Sequence, residues 1–329
     1  MPRLVALAAE PGERFVAALS AAWDAGDVVL PVDSRLPVPP SFEPPLEDGD
    51  ALVVATSGTT GEPKGAVLTH DAVRAAAEAT SGRLAVDPAV DTWLSCLPLA
   101  HVGGLGVVTR ALLTGTPLVF EGPATLTALV RTQLRRTDVS GFRAVLLGGG
   151  PPPPDVPPNV VVTYGMTETG GGVVYDGVPL DGVAVRADED GQLWVRGPML
   201  LRCYDDGTDP KVDGWFPTGD LGAVDDDGRV VVHGRAAEVI VTGGEKVWPS
   251  VVEDVLRTHP SVADVVVAGR SDDEWGERVV AYVVPAGEPP SLDELRGHVK
   301  ERLPAWCAPR DLVLVDSIPR TALGKVRRL

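Results

Sequence analysis

Thr56-Ser57-Gly58-Thr59-Thr60-Gly61-Glu62-Pro63-Lys64-Gly65 joins two apolar runs, Asp50–Thr56 (DALVVAT) and Ala66–Thr69. Both runs are predicted strands, and the residues between them form a tight turn. Gly58, Gly61 and Gly65 let backbone approach an anion closely, without a Cβ in the way. Hydroxyls of Thr56, Ser57, Thr59 and Thr60, with backbone N–H groups, are placed to ring phosphate oxygens, and Lys64 adds a point charge. The stretch is not a GxxxxGK[ST] loop, because glycine follows Lys64 and the spacing differs. The alternative is an ordinary Gly/Thr turn. Such turns are common, but this company of glycines, hydroxyls and a closing Lys-Gly is not.

Outward from this turn, the chain reads as α/β. Residues 11–26 are a predicted helix with Phe15, Leu19 and Trp23 on one face, and 31–49 a Pro-rich acidic loop. Downstream, an Ala-rich helix over Asp71–Thr80 takes Asp71 as its N-cap. A strand at Trp93–Leu97 leads through a Pro/His/Gly loop to an apolar helix, Leu105–Leu113. Strands at Pro117–Phe120, Ala144–Leu147 and Val160–Thr163 alternate with helical stretches, the pattern of an α/β sheet. After Tyr175 short β-prone runs (Gln192–Arg196, Arg229–Val232, Glu238–Thr242) alternate with D-G and G-rich turns. From Pro249 the order is helix 249–257, strands 263–268 and 278–284, helix 291–303 and strand 311–315. The fold expected is a large N-terminal α/β domain with a β-rich end, residues 1–235, and a small α+β C-terminal domain, residues 236–329. The boundary falls near Gly234–Ala237.

Composition narrows the function classes. The chain has 329 residues and a formal charge of −17, with a pI near 4.7. That argues against a general nucleic-acid or anionic-membrane surface. No apolar run approaches the roughly 18 residues of a membrane span, and no secretory signal is read at the N-terminus. Three widely spaced cysteines suit a reducing compartment, with cytoplasm the default, and offer no metal-ligand spacing. The sequence assigns no oligomeric state.

Further motifs follow the turn in order. Tyr164-Gly165-Met166-Thr167-Glu168-Thr169 sits at the end of a predicted strand, where α/β folds place ligands. A carboxylate beside a hydroxyl suits Mg²⁺, and an aromatic ring packs on a base. Gly148-Gly149-Gly150-Pro151 lies upstream, readable also as a flexible Gly/Pro loop. Asp220, in Gly214-Trp215-Phe216-Pro217-Thr218-Gly219-Asp220, suits ribose hydroxyls but equally a turn between strands. His101 stands in the apolar stretch Leu97–Gly104, where a packed core histidine is the simpler reading. Arg110 is the one charge in the apolar helix after it, readable as a solvent-facing residue. Lys325, in Pro319-Arg320-Thr321-Ala322-Leu323-Gly324-Lys325, lies in a basic tail that composition alone reads as solvated.

Taken together, TSGTTGEPKG, YGMTET, TGD and P-x-T-x-x-G-K resemble the adenylate-forming superfamily of acyl-CoA synthetases, adenylation domains and luciferases. The resemblance implies an ATP- and Mg²⁺-dependent enzyme that makes an acyl-AMP and passes the acyl group to a thiol, that of coenzyme A or of a carrier protein. It implies that Thr56, Ser57, Gly58, Thr59, Thr60, Gly61 and Lys64 hold phosphates. Gly148, Gly149, Gly150, Tyr164, Gly165 and Met166 then flank the nucleotide, and Thr167 and Glu168 hold the adenylate and the metal. Asp220 binds the ribose with Arg235 in support, and Lys325 is the catalytic lysine. His101 lies at the seam between acyl pocket and thiol tunnel. Gly243 and Gly244, in Thr242-Gly243-Gly244-Glu245-Lys246, line the pantetheine channel after the small domain rotates. Family members place Asp or Lys two residues after the ribose arginine. Here that residue is Ala237, with Glu238 beside it, which puts an ionic latch at the hinge in doubt. Only 55 residues precede the turn. This trimmed layout, with YGMTETGGGVVYDGVPLDGV over Tyr164–Val183, resembles compact actinobacterial o-succinylbenzoate–CoA ligases of menaquinone synthesis. The implied acid is aromatic 2-succinylbenzoate, with Gly170 and Gly171 in the pocket wall and Arg110 a candidate receptor for its second carboxylate. Another aryl-acid ligase of secondary metabolism, or a regulatory nucleotide-binding module, is the competing reading.

Overall fold

The computed structural model describes residues 1–35, 42–56, 63–153 and 155–319. By spatial contact the chain sorts into two compact units. One comprises Met1–Asp188, Leu193–Thr218 and Ala223–Val231, the other Glu189–Gln192, Gly219–Gly222 and the chain from Val232 onward.

In the first unit, a five-stranded sheet orders Leu4–Ala8, Val28–Val32, Asp50–Ala55, Gly65–Thr69 and Cys203–Tyr204. The first two strands run parallel, with Leu4 opposite Val28, joined by the helix Glu13–Asp24. Phe15 and Leu19 are buried as the helical spacing requires, and the Trp23 indole N–H donates to the Ala51 carbonyl at 3.0 Å. Val28–Val32 is a finding against the sequence reading, which began a loop at residue 31. Five apolar residues are too few for periodicity to announce a strand. Asp50–Ala55 and Gly65–Thr69 are antiparallel, with Ala55 opposite Gly65. These are the two strands expected to flank the glycine-rich turn.

A second, seven-stranded sheet orders Val178–Pro179, Gly171–Tyr175, Val160–Met166, Ala144–Gly148, Leu126–Val130, Trp93–Leu94 and Leu118–Val119. Its strands from Val160–Met166 to Leu118–Val119 are parallel. Two helices, His70–Arg83 and Val102–Thr114, fill the space between the sheets. Leu105 and Val108 join a core with Leu52, Leu68 and Val73 on one side, while Val107 and Ala111 join Trp93, Leu126 and Leu146 on the other. A helix packed between two sheets is apolar over most of its surface, which the run VGGLGVVTRALL satisfies except at Thr109 and Arg110. The first of these helices corrects the expected cap. Thr69, not Asp71, is the N-cap, and its hydroxyl accepts from the Ala72 N–H at 3.1 Å. Ala184–Ala187 and Gln192–Arg196 pair antiparallel, and Phe216–Val224 and Val230–Arg235 follow in the chain.

The second unit holds a five-stranded sheet of Glu245–Val247, Ile240–Thr242, Gly276–Pro285, Val262–Asp272 and Asp311–Leu314. Helices Pro249–Leu256 and Leu292–Lys300 bury Val252, Leu256, Leu295 and Val299 against Val265, Val267, Val279 and Ala281. Ser291 and Glu294 form a reciprocal capping box. No helix among the described residues is long and apolar enough to cross a membrane.

Candidate active site

The neck of the glycine-rich turn is closed by two bonds. The Thr56 N–H donates to the Lys64 carbonyl at 2.7 Å, and the Lys64 N–H to the Thr56 hydroxyl at 3.3 Å. Gly65 then packs where no side chain fits, since a Cβ there would lie 2.8 Å from Val53 and 3.0 Å from Phe42. Ser57, Gly58, Thr59, Thr60 and Gly61 lie outside the described residues, so the phosphate contacts assigned to them do too. Lys64 is exposed, with its ammonium 4.9 Å from the centre of the Tyr204 ring.

The second motif occupies the carboxyl end of a parallel strand. Val160–Met166 leads into a 3₁₀ turn, Thr167–Thr169, and Gly170 follows with φ +63°. Fully buried Thr169 holds the turn, accepting from the Met166 N–H at 2.9 Å and donating to the Gly171 carbonyl at 2.6 Å. Gly165 faces Gly172 so closely that a Cβ would strike the Gly171 carbonyl. Thr167 and Glu168 are half-buried. One Glu168 oxygen accepts from the Tyr204 hydroxyl at 3.0 Å, and its carbonyl accepts from the Leu201 N–H at 2.8 Å. Lys64 and Glu168, 104 residues apart, therefore touch opposite features of one side chain. Tyr204 was not among the residues singled out by sequence.

Gly148, Gly149 and Gly150 leave the neighbouring strand at the same edge of the sheet. The Thr163 hydroxyl donates to the Leu147 carbonyl at 3.1 Å, and Gly149 takes φ +84°. Adjacent carboxyl ends of parallel strands are where such sheets open a crevice, and Tyr164 and Met166 belong to one of them.

His101, half-buried, is the N-cap residue of the central helix, its carbonyl accepting from the Leu105 N–H at 2.9 Å while its side chain makes no capping bond. The Arg35 guanidinium bonded to Asp33 holds that carboxyl down to about 2, with the nearby His101 ring acting weakly in the same direction. Arg110 is not solvent-facing: it is 7% exposed. Its guanidinium lies 4.8 Å from the centre of the Trp93 ring, and its Nε and Nη1 have no hydrogen-bond partner. Burial pushes its pKa down, partly offset by Tyr175. A cleft beside it is lined by Leu52, Leu68, Ala76, Val102, Leu105, Gly106 and Gly170. Thus an apolar pocket carries a buried cation with unused donors, and its wall includes Gly170, the residue that follows the Tyr164–Thr169 motif.

In the second unit Asp220 is buried and accepts from Arg235 Nε at 3.1 Å. Ala236–Glu238 is a 3₁₀ turn with extended backbone on each side, ψ 132° at Arg235 and ψ 128° at Val239. Gly243 and Gly244 form the two-residue tip of the hairpin Ile240–Thr242 to Glu245–Val247, with φ +60° and +85°. Positive φ at both central residues is what such a hairpin demands, so turn geometry accounts for both glycines by itself. A Cβ on Gly243 would also strike the Trp275 ring at 2.7 Å. Lys325 lies outside the described residues.

Among the described residues no group of three or more His, Cys, Asp or Glu forms a metal cage. A single available carboxylate suits Mg²⁺, which takes one or two carboxylates and completes its shell with substrate phosphates and water. Glu168 fits that pattern, with one oxygen held by Tyr204.

Known proteins agree in sequence and in fold. A family profile described as AMP-binding enzyme matches residues 38–133, and one described as AMP-binding enzyme C-terminal domain matches 251–325. A probable 2-succinylbenzoate–CoA ligase of Mycobacterium tuberculosis is 42% identical over 325 residues, covering 86% of this chain and 84% of that one. An indoleacetate–CoA ligase of Aromatoleum aromaticum is 35% identical, covering 96% and 76%. The o-succinylbenzoate CoA synthetase of Bacillus subtilis, solved with its acyl-adenylate intermediate, superposes with a TM-score of 0.83 at 27% identity, covering 99% and 87%. The same enzyme solved with ATP and a magnesium ion gives 0.76 at 27% identity, covering 98% and 78%. On its motifs, its two-unit layout and these matches, the chain belongs to the AMP-binding, adenylate-forming enzyme family.

Proposed function

We propose that this chain is an ATP-dependent acid–CoA ligase that converts 2-succinylbenzoate into 2-succinylbenzoyl-CoA, in menaquinone biosynthesis, through an acyl-AMP. In the first half-reaction a carboxylate oxygen of the acid attacks the α-phosphorus of ATP and pyrophosphate leaves. In the second, the thiol sulfur of CoA attacks the acyl carbon, loses its proton, and AMP leaves. Lys64 and the hydroxyls of the glycine-rich turn bind the phosphates. Tyr164 and Gly148–Gly150 flank the adenine, and Asp220, held by Arg235, takes the ribose hydroxyls. Glu168, with Thr167 beside it, would hold Mg²⁺, which would supply positive charge against the phosphates. Lys325 brings an ammonium to the α-phosphate as negative charge builds there. His101 borders the thiol path, Gly243 and Gly244 admit the narrow pantetheine arm, and the division 1–235 and 236–329 lets the second part exchange places between steps. Three free thiols support a cytoplasmic location.

The observation that carries the choice of acid is Arg110. A pocket for a monoanionic acid gains nothing from a buried guanidinium with unused N–H groups, and pays its desolvation. A second carboxylate on the substrate supplies the missing partner, and arginine binds carboxylates with paired donors. Pyrophosphate exchange into ATP, measured with 2-succinylbenzoate, indoleacetate, benzoate and salicylate, tests the reading. Exchange strongest with 2-succinylbenzoate supports it, while exchange strongest with indoleacetate favours the aryl-acid reading that the Aromatoleum relative suggests.

A further inference from the structure

We propose that Tyr204 is a positioning residue that keeps the phosphate-turn cation and the metal carboxylate apart, so that each stays open to its ligand. The inference rests on the ligase reading for the roles of Lys64 and Glu168. Its own basis is the geometry around the tyrosine. Cys203–Tyr204 pairs antiparallel with Gly65–Thr69, Tyr204 opposite Ala66 and Cys203 opposite Val67. That register sets Tyr204 beside the exit of the glycine-rich turn. The next residue fastens it there, because Asp205 accepts from the Gly65 N–H at 2.7 Å. The Tyr204 backbone is held on both sides: its N–H donates to the Thr208 carbonyl and its carbonyl accepts from the Gly207 N–H, each at 2.9 Å.

From this fixed base the side chain serves two opposite charges. Its ring face meets the Lys64 ammonium at 4.9 Å, and its hydroxyl donates to Glu168 Oε1 at 3.0 Å. An ammonium and a carboxylate on either side of one tyrosine attract each other, and a direct ion pair would occupy both groups before any ligand arrived. The tyrosine gives each a neutral partner instead. The cation–π contact is weak at an exposed lysine and uses none of its three N–H donors irreversibly, so an arriving phosphate displaces it readily. The hydroxyl bond engages one carboxylate oxygen and leaves the other its lone pairs for a cation. One residue thus orients Glu168 and keeps Lys64 from it.

Two substitutions separate these tasks, read by calorimetric ATP binding in EDTA and in Mg²⁺. Tyr204→Phe keeps the ring and loses the hydroxyl. Metal-free ATP affinity is expected to match wild type, while the tightening produced by Mg²⁺ shrinks by roughly tenfold. Tyr204→Leu removes the ring as well, freeing Lys64 to pair with Glu168, so metal-free affinity falls several-fold. Adding Glu168→Gln removes the competing charge and restores that metal-free affinity, a rescue that a merely structural tyrosine would not show. Tyr204→Phe with a wild-type Mg²⁺ response, or a Tyr204→Leu defect that Glu168→Gln leaves in place, overturns the inference alone. A wild-type protein whose ATP affinity ignores Mg²⁺ overturns the metal assignment of Glu168 and the inference with it.

Discussion

Replacing Arg110 with methionine separates stability from function. Nε and Nη1 are buried without partners, and each such desolvated group costs about 1–3 kcal/mol. The Trp93 ring beneath the guanidinium returns about 2 kcal/mol. Methionine keeps most of the aliphatic packing and carries no charge. The balance is a gain of about 2 kcal/mol for the ligand-free protein, in line with swaps of buried charge for apolar groups. For a body of this size that raises the melting temperature by roughly 4–8 °C. The opposite is expected of the substrate: losing charged hydrogen bonds of about 1.5–3 kcal/mol raises the KM for 2-succinylbenzoate by roughly 10–150-fold. Benzoate, which has no second carboxylate, is expected to lose little. Scanning fluorimetry without ligand and pyrophosphate exchange with both acids read the two effects. A variant that melts lower than wild type, with an unchanged KM for the dianion, would refute the reasoning and make Arg110 a structural residue.

Other expectations follow from single contacts. Asp91 is buried and accepts from Arg143 Nη2 at 2.6 Å, Arg143 Nε at 2.9 Å and the Thr125 hydroxyl at 2.8 Å, and the Arg143 hydrogen bond chiefly holds its carboxyl below the usual range. A depressed folded-state pKa gives stability that is present above the unfolded value of roughly 3.9 and lost as pH falls toward the folded one. Asp91→Asn should therefore cost about 1–3 kcal/mol at neutral pH, discounted for the exposure of Arg143, and flatten the acid limb of urea midpoints against pH. Gly244→Ala, with open space around its Cβ, should cost only about 1–2 kcal/mol of backbone strain. If the hairpin tip borders the thiol path, it slows CoA transfer and spares adenylation. Gly243→Ala adds the clash with Trp275 and should melt measurably lower than Gly244→Ala. Lys325→Ala should cripple adenylation far more than transfer from preformed acyl-AMP, and equal losses in single-turnover assays of each step would count against the domain exchange.

Part of the fold around the proposed site was legible because its signals are local. The glycine-rich turn announces itself within ten residues, and YGMTET ends a β-prone run that proves to be a parallel strand. Asp220 and Arg235, both singled out from the sequence by resemblance, lie in contact. What stayed hidden depends on distant parts of the chain. Nothing in Arg202-Cys203-Tyr204-Asp205 announces a strand, because two residues become one only by pairing with Gly65–Thr69. Tyr204 therefore gave no signal of reaching Glu168. The burial of Arg110 was equally invisible, since a charge in an apolar helix reads as its solvent face until a second sheet covers that face. The cap moved from Asp71 to Thr69 because both residue types suit the position and only the backbone decides where the first turn begins. Leu126–Val130 and Leu4–Ala8, five residues each, were too short for periodicity to separate strand from helix.

The most direct test of the chemistry is to incubate the protein with ATP, Mg²⁺ and 2-succinylbenzoate without CoA, and to weigh what it retains. A bound species with the mass of 2-succinylbenzoyl-AMP, discharged to AMP and 2-succinylbenzoyl-CoA when CoA is added, is the expected result. Retention of ATP alone, with no adenylate and no pyrophosphate released, would contradict it.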